Sequence, residues 1–424
     1  EALWYAIVAL DRAVEGERAM LKDKRDELSA IFLQRFPRSE RAAKLLIRRA
    51  ASDLANPEQA VRVLLAVEGS SPLYHAARSH ASTLLYRLYR SARSDQRDFA
   101  ALQFVEVAEE VVGLDQREAQ AGDADLMQRL SEGTLLRLRQ IADALLSMSA
   151  PDYARAARTL EMIEQTAKVA GVSVDQFADE LLYRRLQLAL GQGRLNEVEE
   201  YLTRLRAMGG LYAEAADNLM YRHALTGFLA DPENSMTARA LLRHGLRLAD
   251  TAGAKPGALQ RPAIQSVFNR AAEAAAVLWK NDKDVVARDA GVRLDGALLA
   301  AGIRAPTVLR RHAELAEAAG EEEAALESWR VLLSGLTPAA SGWHEARYHS
   351  ARLLALENPR KALEALDQHA TLYPEYGPAP WGEALKRLHE EVRARVAAMP
   401  SVPAGEVPGG PAGGSLNGEG GGGE

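Results

Sequence analysis

Cysteine is absent from all 424 residues, which removes disulfide frameworks, thiolate metal sites, iron–sulfur clusters and cysteine nucleophiles at once. Aromatic residues amount to 6%, and the five Trp, at positions 4, 279, 329, 343 and 381, are too scattered to pave a sugar-binding cleft. No apolar run approaches the ~18 residues that a membrane-spanning helix needs; the stretch Ala2 to Leu10 is closed by Asp11 and Arg12. Positive charge is not in excess either. The 52 Lys and Arg face 58 Asp and Glu, a net charge of -6 that argues against a strongly electrostatic nucleic-acid binder. Phosphate-cradling, dinucleotide-binding and nucleophile-elbow motifs are missing, as is an Asp-x-Asp-x-Asp-Gly calcium loop. What survives is a helical binding scaffold that is not an enzyme, with no cofactor, no metal, no nucleic-acid partner and no membrane span. Missing thiols suit an oxidising compartment, which favours a bacterial envelope or periplasm over the cytoplasm. The chain opens at Glu1 and enters helical pattern immediately, so an upstream segment is expected, whether a signal peptide or a further domain.

Apolar residues recur every three to four positions, as in Leu181, Leu182, Leu186 and Leu188 and again in Val198, Tyr201, Leu202 and Leu205. Two-residue alternation is nearly absent, so the reading is all-α, with helices of 10 to 18 residues. Polar and Gly/Pro breaks punctuate them: Asn56-Pro57, Ala150-Pro151-Asp152, Gly191-Gln192-Gly193, Asp231-Pro232 and Asn358-Pro359. A short polar side chain followed by Pro suits a helix start, because it caps free amides while Pro occupies a position whose N–H has no intrahelical partner. Ser173-Val174-Asp175-Gln176 is expected to form a capping box.

One turn recurs along the chain. Leu54-Ala-Asn-Pro-Glu-Gln-Ala-Val-Arg-Val-Leu-Leu65, Leu229-Ala-Asp-Pro-Glu-Asn-Ser and Leu356-Glu-Asn-Pro-Arg-Lys-Ala-Leu-Glu-Ala-Leu366 lie over one another, and the segments from Pro151, Gly191 and Ala318 share the helical half. In these segments a small residue is followed four positions later by a bulky one: Ala60 and Leu64, Ala156 and Leu160, Val198 and Leu202, Ala325 and Trp329, Ala362 and Leu366. With Gly193 and Gly320 at the turns and Pro72, Pro338 and Pro374 at the ends, the chain resembles the tetratricopeptide repeat family. The aromatic-Pro junctions Phe36-Pro37 and Tyr373-Pro374 resemble those that close repeats in many bacterial cell-envelope members. Spacing departs from a strict period, since Ala156 to Val198 is 42 residues and Ala325 to Ala362 is 37. The resemblance therefore implies an irregular α-solenoid, a right-handed superhelix of antiparallel helix pairs.

Two stretches read as interruptions: Gly113 to Gly133, and Thr251 to Pro262, the expected hinge. The expected domains are helical repeats over 1–250 and 263–399, followed by a Gly/Pro-rich tail over 400–424 that cannot bury enough apolar surface to order itself. The resemblance also implies a concave face for partner peptides or domains, built by the first helix of each repeat. Carried over residue by residue from the repeat Ala or Val, the face takes Tyr183 and Gln187, then Arg310, Glu314 and Glu317, then His344 and Arg347. The Lys/Asn/Arg clamp for a chaperone's terminal carboxylate is absent at these positions, so that type of partner is not expected. Two further motifs carry competing readings. His344 and His349 stand at i and i+5 around Glu345, about 140° apart on a regular helix, which opposes a zinc pair. Arg87, Arg90, Arg93 and Arg97 form a stripe that reads as a solvated face. The alternative to a scaffold is a helical accessory region of a larger enzyme or regulator whose active domain lies outside this chain.

Overall fold

A computed structural model describes residues 1–15, 19–47, 56–122, 124–253 and 255–399. Among these the chain is helical throughout, with no strand. Its compact units are Glu1–Asn218 and Leu219–Glu424. The first unit holds α1 (Ala2–Glu15), α2 (Lys22–Arg35), α3 (Glu40–Ile47), α4 (Pro57–Leu65), α5 (Tyr74–Ser91), α6 (Arg97–Ala121), α7 (Ala124–Ser147), α8 (Tyr153–Ala170), α9 (Ala178–Gly191) and α10 (Leu195–Met208). The division falls inside α11 (Gly210–Ala230). The second unit continues with α12 (Ser235–Gly253), α13 (Pro262–Asp282), α14 (Val285–Ala300), α15 (Pro306–Ala319), α16 (Glu322–Gly335), α17 (Ser341–Glu357), α18 (Pro359–Leu372) and α19 (Trp381–Ala397).

Helix starts follow the expected chemistry. The side chains of Asn56, Asp152 and Asn358 each accept a hydrogen bond from the backbone N–H three residues on, at 2.9, 3.0 and 3.1 Å. Asn234 caps α12, accepting from the N–H of Met236, two residues on, at 2.8 Å and from that of Thr237, three on, at 3.4 Å. The expected capping box at Ser173 takes a different form. Its hydroxyl accepts from the N–H of Asp175, two residues on, and starts a short 3-10 turn over Val174–Phe177 rather than a full box with Gln176.

Helices consecutive in sequence pack antiparallel as hairpins, hairpin against hairpin, within each unit. The small-then-bulky pairs sit where such packing needs them. Ala60, Ala156, Val198, Ala325 and Ala362 are at most 1% exposed, and Leu64, Leu202, Trp329 and Leu366 are fully enclosed. Glycine at Gly193 and Gly320 supplies the left-handed backbone, φ +70° and +80°, that turns one helix into the next.

Two expectations change. The stretch from Gly113 to Gly133 is helical except at the α6/α7 turn, so α6 and α7 run 25 and 24 residues. A helix-interior Gly costs only about 1 kcal/mol relative to Ala, and α6 offsets that by burying Ala108, Val111 and Val112. The segment 251–262 lies inside the second unit, where the helices on either side, α12 and α13, share one core through Leu241, Leu248, Phe268 and Ala271. The segment 400–424 lies outside the described residues, as do Leu54 and Ala55 of the repeated turn.

Trp329 is the largest fully enclosed side chain, and its indole N–H is also bonded. Trp329→Ala is expected to lower the stability of the second unit by about 3–5 kcal/mol, read by urea unfolding followed by far-UV circular dichroism. A loss below about 1 kcal/mol would contradict the seam assignment.

Candidate functional site

In the second unit the first helices of successive hairpins, α13, α15, α17 and α19, are tied to one another by polar and aromatic side chains. Arg311 of α15 grips Asp295 of α14 through two bonds of 2.8 and 2.6 Å and donates to Asn269 of α13 at 2.8 Å. Asp295 is fully enclosed. Burial pushes its carboxyl above the ordinary value although Arg311 opposes the shift.

Between α15 and α17 two crossed pairs form: Arg310 with Glu345, and Glu317 with Arg352. Glu317 is the hub, because it also accepts from the indole N–H of Trp329 at 2.5 Å and from His349 Nδ1 at 2.9 Å. Burial alone would raise the Glu317 carboxyl, but the bonds from His349 and Trp329, with the charges of His349 and Arg352, outweigh it and hold it below the ordinary value. The His349 ring stacks on Trp329 with centroids 4.6 Å apart. Trp381 of α19 lies 5.5 Å from the rings of both His349 and Tyr348. Gly342 makes room for Arg310, since a Cβ there would come within 2.7 Å of the guanidinium.

Glu314 belongs to the same α15 face, is exposed, and has no ion pair or hydrogen bond among the described residues. The neighbouring helices still displace enough water to raise its carboxyl, Glu345 adds to the shift and Arg310 opposes it.

The expected face residues divide. Arg310, Glu314 and Glu317 share this surface, but His344 and Arg347 do not. His344 is 4% exposed, its ring edge-on to Trp343 at 5.0 Å and pressed against the Gly377 backbone, where a Cβ would lie 2.3 Å from the imidazole. Arg347 donates to the Ala365 carbonyl of α18 at 2.6 Å. The cause is register. Counting back from Ala362 assumes equal first helices, but α17 has 17 residues against 14 in α15. The crossed pairs show that the face repeats every 35 residues, Arg310 to Glu345 and Glu317 to Arg352, instead of the 37 that separate Ala325 from Ala362. Two residues turn a helix by about 200°. Glu345, Tyr348, His349, Arg352 and Trp381 were therefore missed, and the complementary charges 35 apart were the signal that could have found them. His344 and His349 point to different partners, and no group of three or more metal-ligating side chains is poised around a metal position among the described residues.

Tyr183 and Gln187 lie on α9 of the first unit, which is built on the same plan. Tyr183 is 8% exposed and packs on Tyr212 at 5.6 Å. Gln187 accepts from Arg184 at 3.0 Å, and Arg184 reaches Asp143 of α7 at 2.6 Å. Asp143 also meets Tyr86 and Arg90 of α5, both at 3.4 Å. Burial and the Asp143 charge push the Tyr86 hydroxyl up to about 12. The arginine stripe is thus partly engaged: Arg90 faces Asp143, and Arg97 lies over the Tyr89 ring at 5.3 Å.

No family model matches the sequence, and no curated protein does either. Among solved structures the chain is similar to yeast Tom70 at 14% identity, covering 88% of this chain and 78% of that one, with a TM-score of 0.23. It is similar to the APC/C hetero-tetramer Cut9-Hcn1 at 13% identity over 86% and 88%, also with a TM-score of 0.23. A circular tandem repeat protein with novel repeat topology and enhanced subunit contact surfaces gives 15% identity over 93% and 95%, with a TM-score of 0.20.

Behind the face, His344 and His369 are 4% and 1% exposed and their Nδ1 atoms have no hydrogen-bond partner among the described residues. Burial lowers both from the ordinary 6.5; a bond donated by His344 to the Pro338 backbone and one by His369 to the Tyr376 carbonyl pull the other way, and for His369 the charges of Arg347, His344 and His389 add to the lowering. The folded state therefore binds fewer protons than the unfolded chain once the pH drops below 6.5. The contribution of these two groups to stability is full above that value and is lost as pH falls from it toward the depressed values, by up to about 1.4 kcal/mol per pH unit for each group. Urea unfolding at stepped pH should show this slope, and His369→Gln, which keeps a donor for the Tyr376 carbonyl, should flatten it. An identical slope in the variant would remove His369 from the account.

Proposed function

We propose that this chain is a non-enzymatic scaffold whose second unit holds a partner peptide or domain on the face formed by α15, α17 and α19. The observation that carries the reading is the tied row of Arg310, Glu345, Glu317, His349 and Arg352 edged by Trp381, with Glu314 left without a partner. Cross-hairpin pairs hold these side chains in place before any partner arrives, so binding there loses little side-chain entropy. The mixture of charge and aromatic surface suits polar recognition with aromatic anchoring. Tyr183 and Gln187 support the first helices of the first unit in the same way, and in this reading they position a second stretch of face there. His344 and Arg347 act from behind it. The reading as an accessory region of a larger enzyme or regulator is favoured by no particular contact in the structure.

The test is a charge reversal confined to exposed positions. Arg310→Glu with Glu314→Lys is expected to abolish capture of specific partners in cross-linked pull-downs, with the melting temperature unchanged within a few degrees. The matched reversal on the second helix, Glu327→Lys with Arg330→Glu, is expected to leave capture intact. Equal losses in both variants would show a nonspecific charge effect, and equal retention would place the partner elsewhere. Failure of the wild-type chain to capture any specific protein would sink the scaffold reading itself.

A further inference from the structure

A cavity of about 320 Å³ opens at the end of the first unit where the last turns of α6, the first turns of α7 and the last turns of α8 converge. It contains none of the residues discussed as a partner face. Both α6 and α7 continue through Gly113 and Gly133 to reach it.

The floor is polar and enclosed. Asp115 is 3% exposed, accepts from Thr134 at 3.0 Å and Arg137 at 2.7 Å, and lies 2.7 Å from His75 Nε2. Arg137 matches the carboxylate charge, so the pair presents no net charge to the cavity. Beside it Ser131 is 7% exposed, and its hydroxyl lines the cavity without a hydrogen-bond partner among the described residues. That hydroxyl is open to the cavity and is free to donate to, or accept from, a group placed there. The Thr134 oxygen spends its proton on Asp115 and keeps lone pairs free to accept. The walls are apolar and adaptable, with Leu130 and the thioethers of Met127 and Met162. At the mouth stand the uncharged amides of Gln116 and Gln165.

We propose that this cavity binds a neutral amphipathic small molecule, an apolar body between Met127, Leu130 and Met162 with a hydroxyl or carboxamide end on Ser131 and Thr134. The head must both donate and accept, because Ser131 offers both and Thr134 accepts. A charged head is disfavoured, since the Asp115 and Arg137 charges already satisfy each other and a third charge would be desolvated without a counterion. At ~30 Å³ per group the space takes about ten non-hydrogen atoms. Small sites of this type fall at the low end of known ligand pockets.

The probes are 3-phenylpropanol and 3-phenylpropanamide, with 3-phenylpropylamine and 3-phenylpropanoate as charged counterparts, titrated against the full chain by saturation-transfer and chemical-shift NMR. The alcohol and amide are expected to bind saturably and the two ions at least about tenfold more weakly. Ser131→Ala should weaken the neutral probes by roughly three- to tenfold. Thr166→Trp, which fills the mouth from a half-exposed position, should abolish binding, with melting curves confirming that both variants fold. Should a variant melt early, the wild-type chain decides the matter: 3-phenylpropanamide should block 3-phenylpropanol, and the Met127 and Met162 methyl signals should shift as the site fills. No saturation by about 10 mM, equal binding of the ions, or binding indifferent to Thr166→Trp would each overturn the proposal.

Discussion

Close approach of paired helices at small side chains is the constraint on which the rest of the structure depends. Ala325 and Ala362 are fully enclosed, and a Cβ on Gly245 or Gly291 would come within 2.7 Å of Ala271 or 2.6 Å of Leu315. With backbones this near, ridges interlock over the full length of each hairpin and the seam is filled by one large residue, Trp329 in the best-defined case. A larger residue at the small positions would separate the helices and with them every cross-hairpin pair built on their outer surfaces.

Those pairs show how the same seam serves two ends. Trp329 closes the core of α15 and α16 and at the same time donates its indole N–H to Glu317, which faces outward to His349 and Arg352. Core and face are joined through one carboxylate, so the geometry of that surface follows from the packing beneath it. In the first unit Asp143 has the equivalent place among Tyr86, Arg90 and Arg184. Buried His344 and His369 add a pH dependence to the packing of α17 and α18, because a proton on either must be accommodated among rings.

The cavity in the first unit has a different origin. It lies where the last turns of α6, the first turns of α7 and the last turns of α8 converge, on helices of 25, 24 and 18 residues.

Helix content, the caps at Asn56, Asp152 and Asn358, the seam residues from Ala60 to Leu366 and the all-α hairpin architecture were determined by the sequence alone. Each depends on interactions within one turn or on a 3.6-residue period that is visible in a short window. Arg310, Glu314 and Glu317 were legible for the same reason, since the repeat Ala lies close by on the same hairpin. Tertiary structure alone decided that Glu345, His349 and Arg352 complete the face while His344 and Arg347 turn inward, that Asp143 gathers three side chains, and that a cavity forms over Asp115. Those partners lie between 18 and 57 residues apart in the chain, as with Arg347 and Ala365 or Tyr86 and Asp143. One residue of register rotates a side chain by about 100°, so a small difference in helix length, invisible to local periodicity, decides which groups meet.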